Sequence, residues 1–231
     1  MSTCEVSLRN VTAGYARRPV LRQLTASVPK SAITAVVGPN GSGKSTLLSV
    51  LAGVHPPTAG TIERSHPSRP CFVVQRSAVS DALPLTVRET VTMGRWAHRG
   101  AWRRLTAGDR DVVDASMERL GIGDLASRQL GELSGGQRQR ALVAQGLAQE
   151  AGLILLDEPT TGLDVTARGS IATVLREVAA DGVTVVHATH DLTAARESDH
   201  CVLLRDGRNV GEGRPREMLT DGALRQFWGL S

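Results

Sequence analysis

The chain has 231 residues, 41% hydrophobic and 22% charged, which suits one soluble globular domain, or one domain with lobes, and excludes a disordered or collagen-like polymer. Its three cysteines, Cys4, Cys71 and Cys201, are odd in number and far apart, which argues against a disulfide framework or a zinc cluster. The net charge of +4 is carried almost wholly by arginine, Lys30 and Lys44 being the only lysines, and it is spread along the chain rather than gathered into the patch of a nucleic-acid binder.

"MSTCEVSLRN" lacks the apolar stretch of a targeting segment, and no apolar run approaches the roughly 20 residues that span a bilayer. The protein is therefore expected to be soluble while free to dock on a membrane partner. "CEVSLRNV" alternates like a half-buried strand and "LTASV" resembles a second. "ITAVVG" is a continuous apolar run, as expected of a parallel strand covered on both faces. It leads into "GPNGSGKST" (38–46), and "KSTLLSVLAG" follows as a helix stopping at Gly53. "TIER" and "CFVVQ" read as short strands, with Cys71 a buried hydrophobe.

From Leu85 to Leu147 strand signals nearly vanish. Thr86 and Glu89 form a capping box for "VRETVTMGR", and a further helix covers "AGDRDVVDASMERLG". The Ser-Gly-Gly of "LGELSGGQRQRALVAQGLAQ" opens a long helical pattern. Strands resume at "GLILLDEP", followed by a helix from about Asp164 to Ala180, the strand "VTVVHATH", and a hairpin "CVLLRDGRNVGEG" turned at Asp206-Gly207. The fold class is therefore α/β: a P-loop core with a mainly parallel sheet, an antiparallel β part, and an inserted helical subdomain.

"GPNGSGKST" matches the P-loop pattern at Gly38, Gly43, Lys44 and Ser45. Its glycines let backbone amides reach phosphate oxygens, and Pro39, Asn40, Gly41, Ser42 and Thr46 complete the cradle. Lys44 reaches the β- and γ-phosphates, and Ser45 supplies a Mg²⁺ ligand. "LILLDEP" delivers Asp157 and Glu158 at the carboxyl end of a buried strand, Asp157 suited to the Mg²⁺ shell and Glu158 to polarising an attacking water. Together these motifs describe a nucleoside triphosphate hydrolase.

The second glycine-rich helix start separates this chain from other such enzymes. With "LSGGQ" (133–137), the sequence resembles, over essentially its whole length, the ATP-binding subunit of an ABC transporter. By that resemblance Tyr15 falls where an aromatic stacks on adenine, Gln75 is the Q-loop glutamine in contact with Mg²⁺ and the reaction centre, "TGLD" (161–164) is the D-loop, and His190 in "ATHD" is the switch histidine. It implies a single nucleotide-binding domain over 1–231, with a core of 1–75 and 150–231 and a helical subdomain of about 76–149. Two such domains associate head to tail, so Ser134, Gly135, Gly136 and Gln137 of one would face the ATP on the P-loop of the other. The catalytic set is then Glu158, His190 and Gln75, with ATP and Mg²⁺ as cofactors.

The implied partners are a second ATP-binding subunit, expected to be a copy of this chain, an integral-membrane permease at the cytoplasmic face of a bacterial membrane, and indirectly an extracytoplasmic solute-binding protein. Nucleic acid is not expected: soluble ABC ATPases acting on DNA or ribosomes carry coiled-coil insertions or tandem cassettes, and a P-loop kinase has no use for "LSGGQ". Gln75 and the helical segment after it would form the permease cleft. "MGRWAHRGAWRR" (93–104) interleaves Arg and Trp, suiting either partner or headgroup contact or a solvated basic loop with packed tryptophans. "TVRETVTMGRWAHRG" and the block around "LSGGQ" look most like ATPases of bacterial zinc or manganese uptake, with iron-chelate and cobalamin importers as the alternative. The stretch between "TIER" and Gln75 is short for the family, so the antiparallel part is expected to be trimmed. The chain ends soon after "LRQFWGLS", so no added regulatory domain is expected. Gln145-Gly146 stand where "ARAL" is common, and Gly146 costs up to about 1 kcal/mol of helix propensity.

Overall fold

The computed structural model describes residues 4–16, 18–65, 68–74, 84–100, 102–220, 222, 224 and 225. Strands β1 (Cys4–Tyr15) and β2 (Arg18–Pro29) form a long antiparallel hairpin, and β4 (Ala59–Arg64) pairs with the other edge of β1. Both hairpin strands are longer than alternation predicts. "CEVSLRNV" and "LTASV" are the halves remote from the turn, pairing from Cys4↔Pro29 to Val11↔Leu24. Register shifts fall in both halves, between Cys4 and Val6 and between Leu8 and Val11 as well as between Val11 and Gly14, and the half near the turn also carries Gly14 and Pro19, residue types that strands disfavour.

The central sheet contains β3 (Ile33–Val37), β5 (Cys71–Val73), β6 (Leu153–Asp157), β7 (Thr184–Thr189), β8 (His200–Arg205) and β9 (Arg208–Gly213), ordered β5-β6-β7-β3-β8-β9. All neighbours are parallel except β8 and β9. Their hairpin turns at Asp206 (φ 49°) and Gly207 (φ 76°), the left-handed pair that an Asp-Gly turn favours. Every residue of β3 and β6 is buried, as continuous apolar runs in a covered parallel sheet require.

The two faces of this sheet carry different layers. Leu153 and Leu155 of β6 join an apolar cluster with α1 (Lys44–Leu51) and the β1–β2–β4 sheet. Ile154 and Leu156, pointing the opposite way, join a second cluster with α5 (Gly135–Leu147) and α6 (Val165–Ala180). The P-loop helix and the "LSGGQ" helix are therefore on opposite faces of one sheet.

Between β5 and β6 the described chain is mainly helical: α2 (Val87–Thr92), α3 (Trp96–Arg99), α4 (Ala107–Arg119) and α5. The Thr86/Glu89 capping box forms, Glu89 N–H donating to Thr86 Oγ1 at 3.2 Å and Thr86 N–H to Glu89 Oε2 at 2.8 Å. Thr106 and Asp109 make a second box at the start of α4. Asp109 also receives Arg95 Nε at 3.0 Å and Arg99 Nε at 2.9 Å, while Arg95 Nη1 reaches the Ala148 carbonyl at 2.9 Å. Two arginines of "MGRWAHRGAWRR" are thus turned inward, and Trp102 is 98% exposed. The expected packing of the tryptophans is not found: Trp96 is also exposed, at 42%.

Gly146 has a packing reason. A Cβ there would lie 2.6 Å from Val73 Cγ2 and 3.1 Å from Cys71 Sγ, so glycine lets α5 lie directly on edge strand β5. Gly94 works likewise, its would-be Cβ 2.3 Å from the Gln145 carbonyl. Two short helices complete the fold, α7 (Leu192–Arg196) after β7 and α8 (Pro215–Met218) after β9.

Candidate active site

Strand register assembles the site. Adjacent β6, β7 and β3 end in step, with Asp157 opposite Ala188 and Val37 opposite Thr189. Gly38, Asp157–Glu158 and His190 therefore emerge side by side at the carboxyl edge of the sheet, where α/β sheets bind ligands.

From Gly38 the chain wraps into α1. A Cβ on Gly38 would lie 2.3 Å from the Leu204 carbonyl, and Gly41 (φ 79°) opens onto free space. Ser42 N–H closes the loop on the Pro39 carbonyl at 3.2 Å, and the buried Ser42 Oγ has no hydrogen-bond partner among the described residues. Helices α2, α4, α5, α6 and α7 each begin with a side-chain cap. Helix α1 begins at Gly43 (φ 105°) without one, so its first-turn amides, from Lys44 to Thr46, lack side-chain partners. An uncapped helix start beside an open glycine loop is an anion seat.

Lys44 crosses this seat, Nζ donating to the carbonyls of Gly38 at 2.9 Å and Pro39 at 3.2 Å and standing 3.9 Å from Glu158 Oε1. Burial pushes its ammonium below the ordinary lysine value, opposed by the Glu158 and then the Asp157 carboxylate. Asp157 is pushed up, first by burial and then by Glu158, while a hydrogen bond from Ser45 and the charge of Lys44 pull it back. Its Oδ1 is buried with no partner among the described residues. A partnerless carboxylate oxygen beside an exposed serine hydroxyl is an oxygen donor set that fits Mg²⁺.

Glu158 adopts φ 48°, uncommon for a residue with a side chain, held by its N–H to the Ala188 carbonyl at 3.1 Å. Its carboxylate is fixed at both oxygens: His190 Nδ1 lies 3.2 Å from Oε1 and Thr161 Oγ1 donates to Oε2 at 2.9 Å. His190 is half exposed and is not the core histidine of this strand; that part is taken by buried His187, hydrogen-bonded to Ser198 Oγ at 2.9 Å. Thr161 opens the "TGLD" stretch, but nothing in that motif signals its contact with Glu158. Gln75 lies outside the described residues.

Tyr15 sits at the tip of the β1–β2 hairpin, 53% exposed, its ring 4.6 Å from that of His55. His55 Nε2 is anchored on the Gly14 carbonyl at 2.8 Å. The same hairpin touches the cradle, since a Cβ on Gly43 would lie 3.4 Å from Val20 Cγ1. Ser134, Gly135, Gly136 and Gln137 are not part of this pocket. Ser134 caps α5, accepting from Gln137 N–H at 3.3 Å while its own N–H donates to Gln137 Oε1 at 3.0 Å. The Ser134 hydroxyl is exposed and keeps its own proton to donate. Gly136 packs against α6, where a Cβ would lie 3.0 Å from Ala167 Cβ.

A parallel sheet with a phosphate loop leaving one strand and a carboxylate pair leaving the next but one defines a P-loop nucleoside triphosphatase. The sequence profile of the ABC transporter family matches residues 21–161. The manganese transport ATP-binding protein MntB of Bacillus subtilis is 34% identical over 97% of this chain and 92% of its own length, and the ferric enterobactin transport ATP-binding protein FepC of Escherichia coli is 35% identical over 95% and 85%. Among solved structures, an inward-facing ABC transporter of metal-chelate type superposes with a TM-score of 0.89 at 34% identity, covering 99% of this chain and 90% of that one. A bacterial ABC transporter cassette solved as a dimer superposes at 0.79 with 27% identity, over 91% and 99%. The chain belongs to the ABC transporter family, as an ATP-binding subunit that hydrolyses ATP in transport. No helix among the described residues is long and apolar enough to cross a membrane.

Proposed function

We propose that this chain is the energy-coupling ATPase of a bacterial importer of a divalent metal ion, zinc or manganese, working as a pair of copies at the cytoplasmic face of the membrane. One observation carries the paired reading: two glycine-rich helix starts, the uncapped one at Lys44 and the exposed one at Ser134, lie on opposite faces of one sheet. A single nucleotide on the P-loop has no access to both, whereas a second subunit related head to tail brings Ser134 and the amides of Gly135 and Gly136 to it. The dipole at the start of α5 adds about 0.3–2 kcal/mol for an adjacent anion.

Within the pocket the proposed roles follow the geometry. The P-loop from Gly38 to Thr46 holds the phosphates, Lys44 neutralises the β- and γ-oxygens, and Ser45, Asp157 and Gln75 hold Mg²⁺. That ion supplies charge neutralisation at the transferring phosphoryl group. Glu158 accepts the proton of the attacking water, oriented by Thr161 and His190, and His190 donates toward the phosphoryl oxygens. Tyr15 offers adenine the ring face not used by His55.

Residues 1–231 are read as one nucleotide-binding domain, with a core of 1–75 and 150–231 and a helical subdomain of about 76–149. A cavity of about 300 Å³ lined by Val74, Leu85, Gly94, Ala97 and Gly146 is the proposed seat of the permease. A solute-binding protein outside the cell would deliver the cargo, and nucleic acid has no part. Import of chelated iron or of cobalamin is the second reading, favoured by the likeness to FepC and to the metal-chelate type transporter.

Glu158→Gln tests the assignment. It should bind ATP with near-normal affinity, lose hydrolysis by about 100-fold or more, and accumulate as a dimer in ATP and Mg²⁺ on gel filtration. Full turnover by this variant would remove Glu158 from the mechanism.

A further inference from the structure

Two loops that are distant in sequence are tied together behind the site. Thr161 Oγ1 donates to Glu158 Oε2 at 2.9 Å, and His190 Nδ1 lies 3.2 Å from Glu158 Oε1. On the far side, Arg168, one turn into α6, donates from Nη1 to Asp191 Oδ2 at 3.2 Å and from Nη2 to the Leu163 carbonyl at 3.4 Å. Following chain and contacts, Glu158, Thr161, Leu163, Arg168, Asp191 and His190 close a ring. The motif residues of "TGLD" and the switch histidine account for half of it; nothing in the sequence marked Arg168.

The ring has an exposed corner. Thr161, Gly162, Asp164 and Val165 are all exposed, and Val165 is an apolar side chain 84% open to solvent at the very start of α6. The opposite corner is His190 against Glu158. Arg168 and Asp191 are themselves 43% and 30% exposed, so their attraction adds little stability, and what the pair fixes is geometry. Arg168 also lines a cavity of about 70 Å³ with Thr160, His187, Asp191 and Ser198, which leaves the guanidinium room to shift.

We propose that Arg168 is a positioning residue: by holding both the Leu163 carbonyl and Asp191, it makes the placement of the 161–165 loop and of His190 a single variable. A second subunit pressing on that exposed loop then sets the histidine against Glu158. This rests on the paired reading of the protein. Without the guanidinium, Glu158 alone still joins Thr161 to His190, the tie between Leu163 and Asp191 is lost, and closure of the pair completes the site less well.

The test uses the full-length chain, with hydrolysis followed against ATP concentration. Arg168→Ala should lower kcat by about tenfold or more with KM for ATP changed less than about twofold, and should flatten any sigmoidal ATP dependence. Arg168→Lys, able to reach only one of the two acceptors, should fall between. Asp191→Asn keeps the cap of α7, because its Oδ1 already accepts from Thr193 N–H at 2.8 Å and asparagine caps as well, but removes the charge partner. It should lose as much kcat as Arg168→Ala, and the double variant should be no worse than either single one. Wild-type kcat in Arg168→Ala, or losses that multiply in the double variant, would overturn the proposal. Should Arg168→Ala melt early, Asp191→Asn decides alone by the same outcomes. Failure of the paired reading is distinguishable, because neither the wild-type chain nor Glu158→Gln would then form a dimer in ATP and Mg²⁺.

Discussion

Glu158 concentrates the conflict between stability and chemistry. Its left-handed backbone costs of order 1 kcal/mol relative to an extended residue, yet it turns the carboxylate back toward Lys44 and His190. Burial presses Lys44 and Asp157 toward their neutral forms; the Glu158 and Asp157 carboxylates oppose this at Lys44, whereas at Asp157 the Ser45 hydrogen bond and Lys44 oppose it and Glu158 adds to it. The sequence pointed to these residues through spacing, and the family resemblance pointed to His190 in "ATHD" as the histidine of the site, while His187 carried no expectation. His187 is inside, and burial lowers its pKa to about 4. The unfolded chain, with an ordinary histidine near 6.5, takes up that proton first, so this contribution to stability is complete above about pH 6.5 and is lost as pH falls toward 4. Thermal melts of the wild-type chain should therefore fall between pH 7 and 5 with a slope that His187→Asn reduces by up to about 1.4 kcal/mol per pH unit. Equal slopes in the two proteins would show that His187 does not carry the effect.

At the scale of elements, the parallel strands and capped helices were readable because each has a local cause: unbroken apolar runs for β3 and β6, Thr-x-x-Glu for α2, Asp-Gly for the β8–β9 turn. The turn half of the β1–β2 hairpin was not, since Gly14 and Pro19 are residue types that strands disfavour. Gly146 was equally opaque, being explained only by strand β5, some seventy residues earlier in the chain. Two effects compete there. Alanine would gain up to about 1 kcal/mol in helix propensity but would force its Cβ to within 2.6 Å of Val73 Cγ2. Overpacking of this kind costs about 1–3 kcal/mol, so the clash should win. Gly146→Ala is expected to destabilise the chain by a net of up to about 2 kcal/mol, read as a lower urea midpoint, and Gly146→Ala with Val73→Ala should recover part of it. A more stable single variant would mean that α5 does not rest on β5 as described.

For the whole molecule, order along the chain hides the decisive fact. "GPNGSGKST" and "LSGGQ" both read as phosphate seats, and only the sheet between them explains why one protein carries two. Helix α1 packs with Leu153 and Leu155, and α5 packs with Ile154 and Leu156, so alternate residues of a single strand separate the seats. The long hairpin carries Tyr15 beside His55 at its tip, and the helical part lines the groove at Gly94 and Gly146. The account stands on each nucleotide lying between two subunits. Lys44→Ala spoils the P-loop half of a site and Ser134→Ala the α5 half, and each variant alone should hydrolyse ATP poorly. In an equimolar mixture, mixed dimers place both defects in one site and leave the other with an intact Lys44 from one chain and an intact Ser134 from its partner. ATP hydrolysis by that mixture should rise well above either variant alone; if it stays at their level while mixed dimers form, the two seats do not serve nucleotide across the subunit boundary.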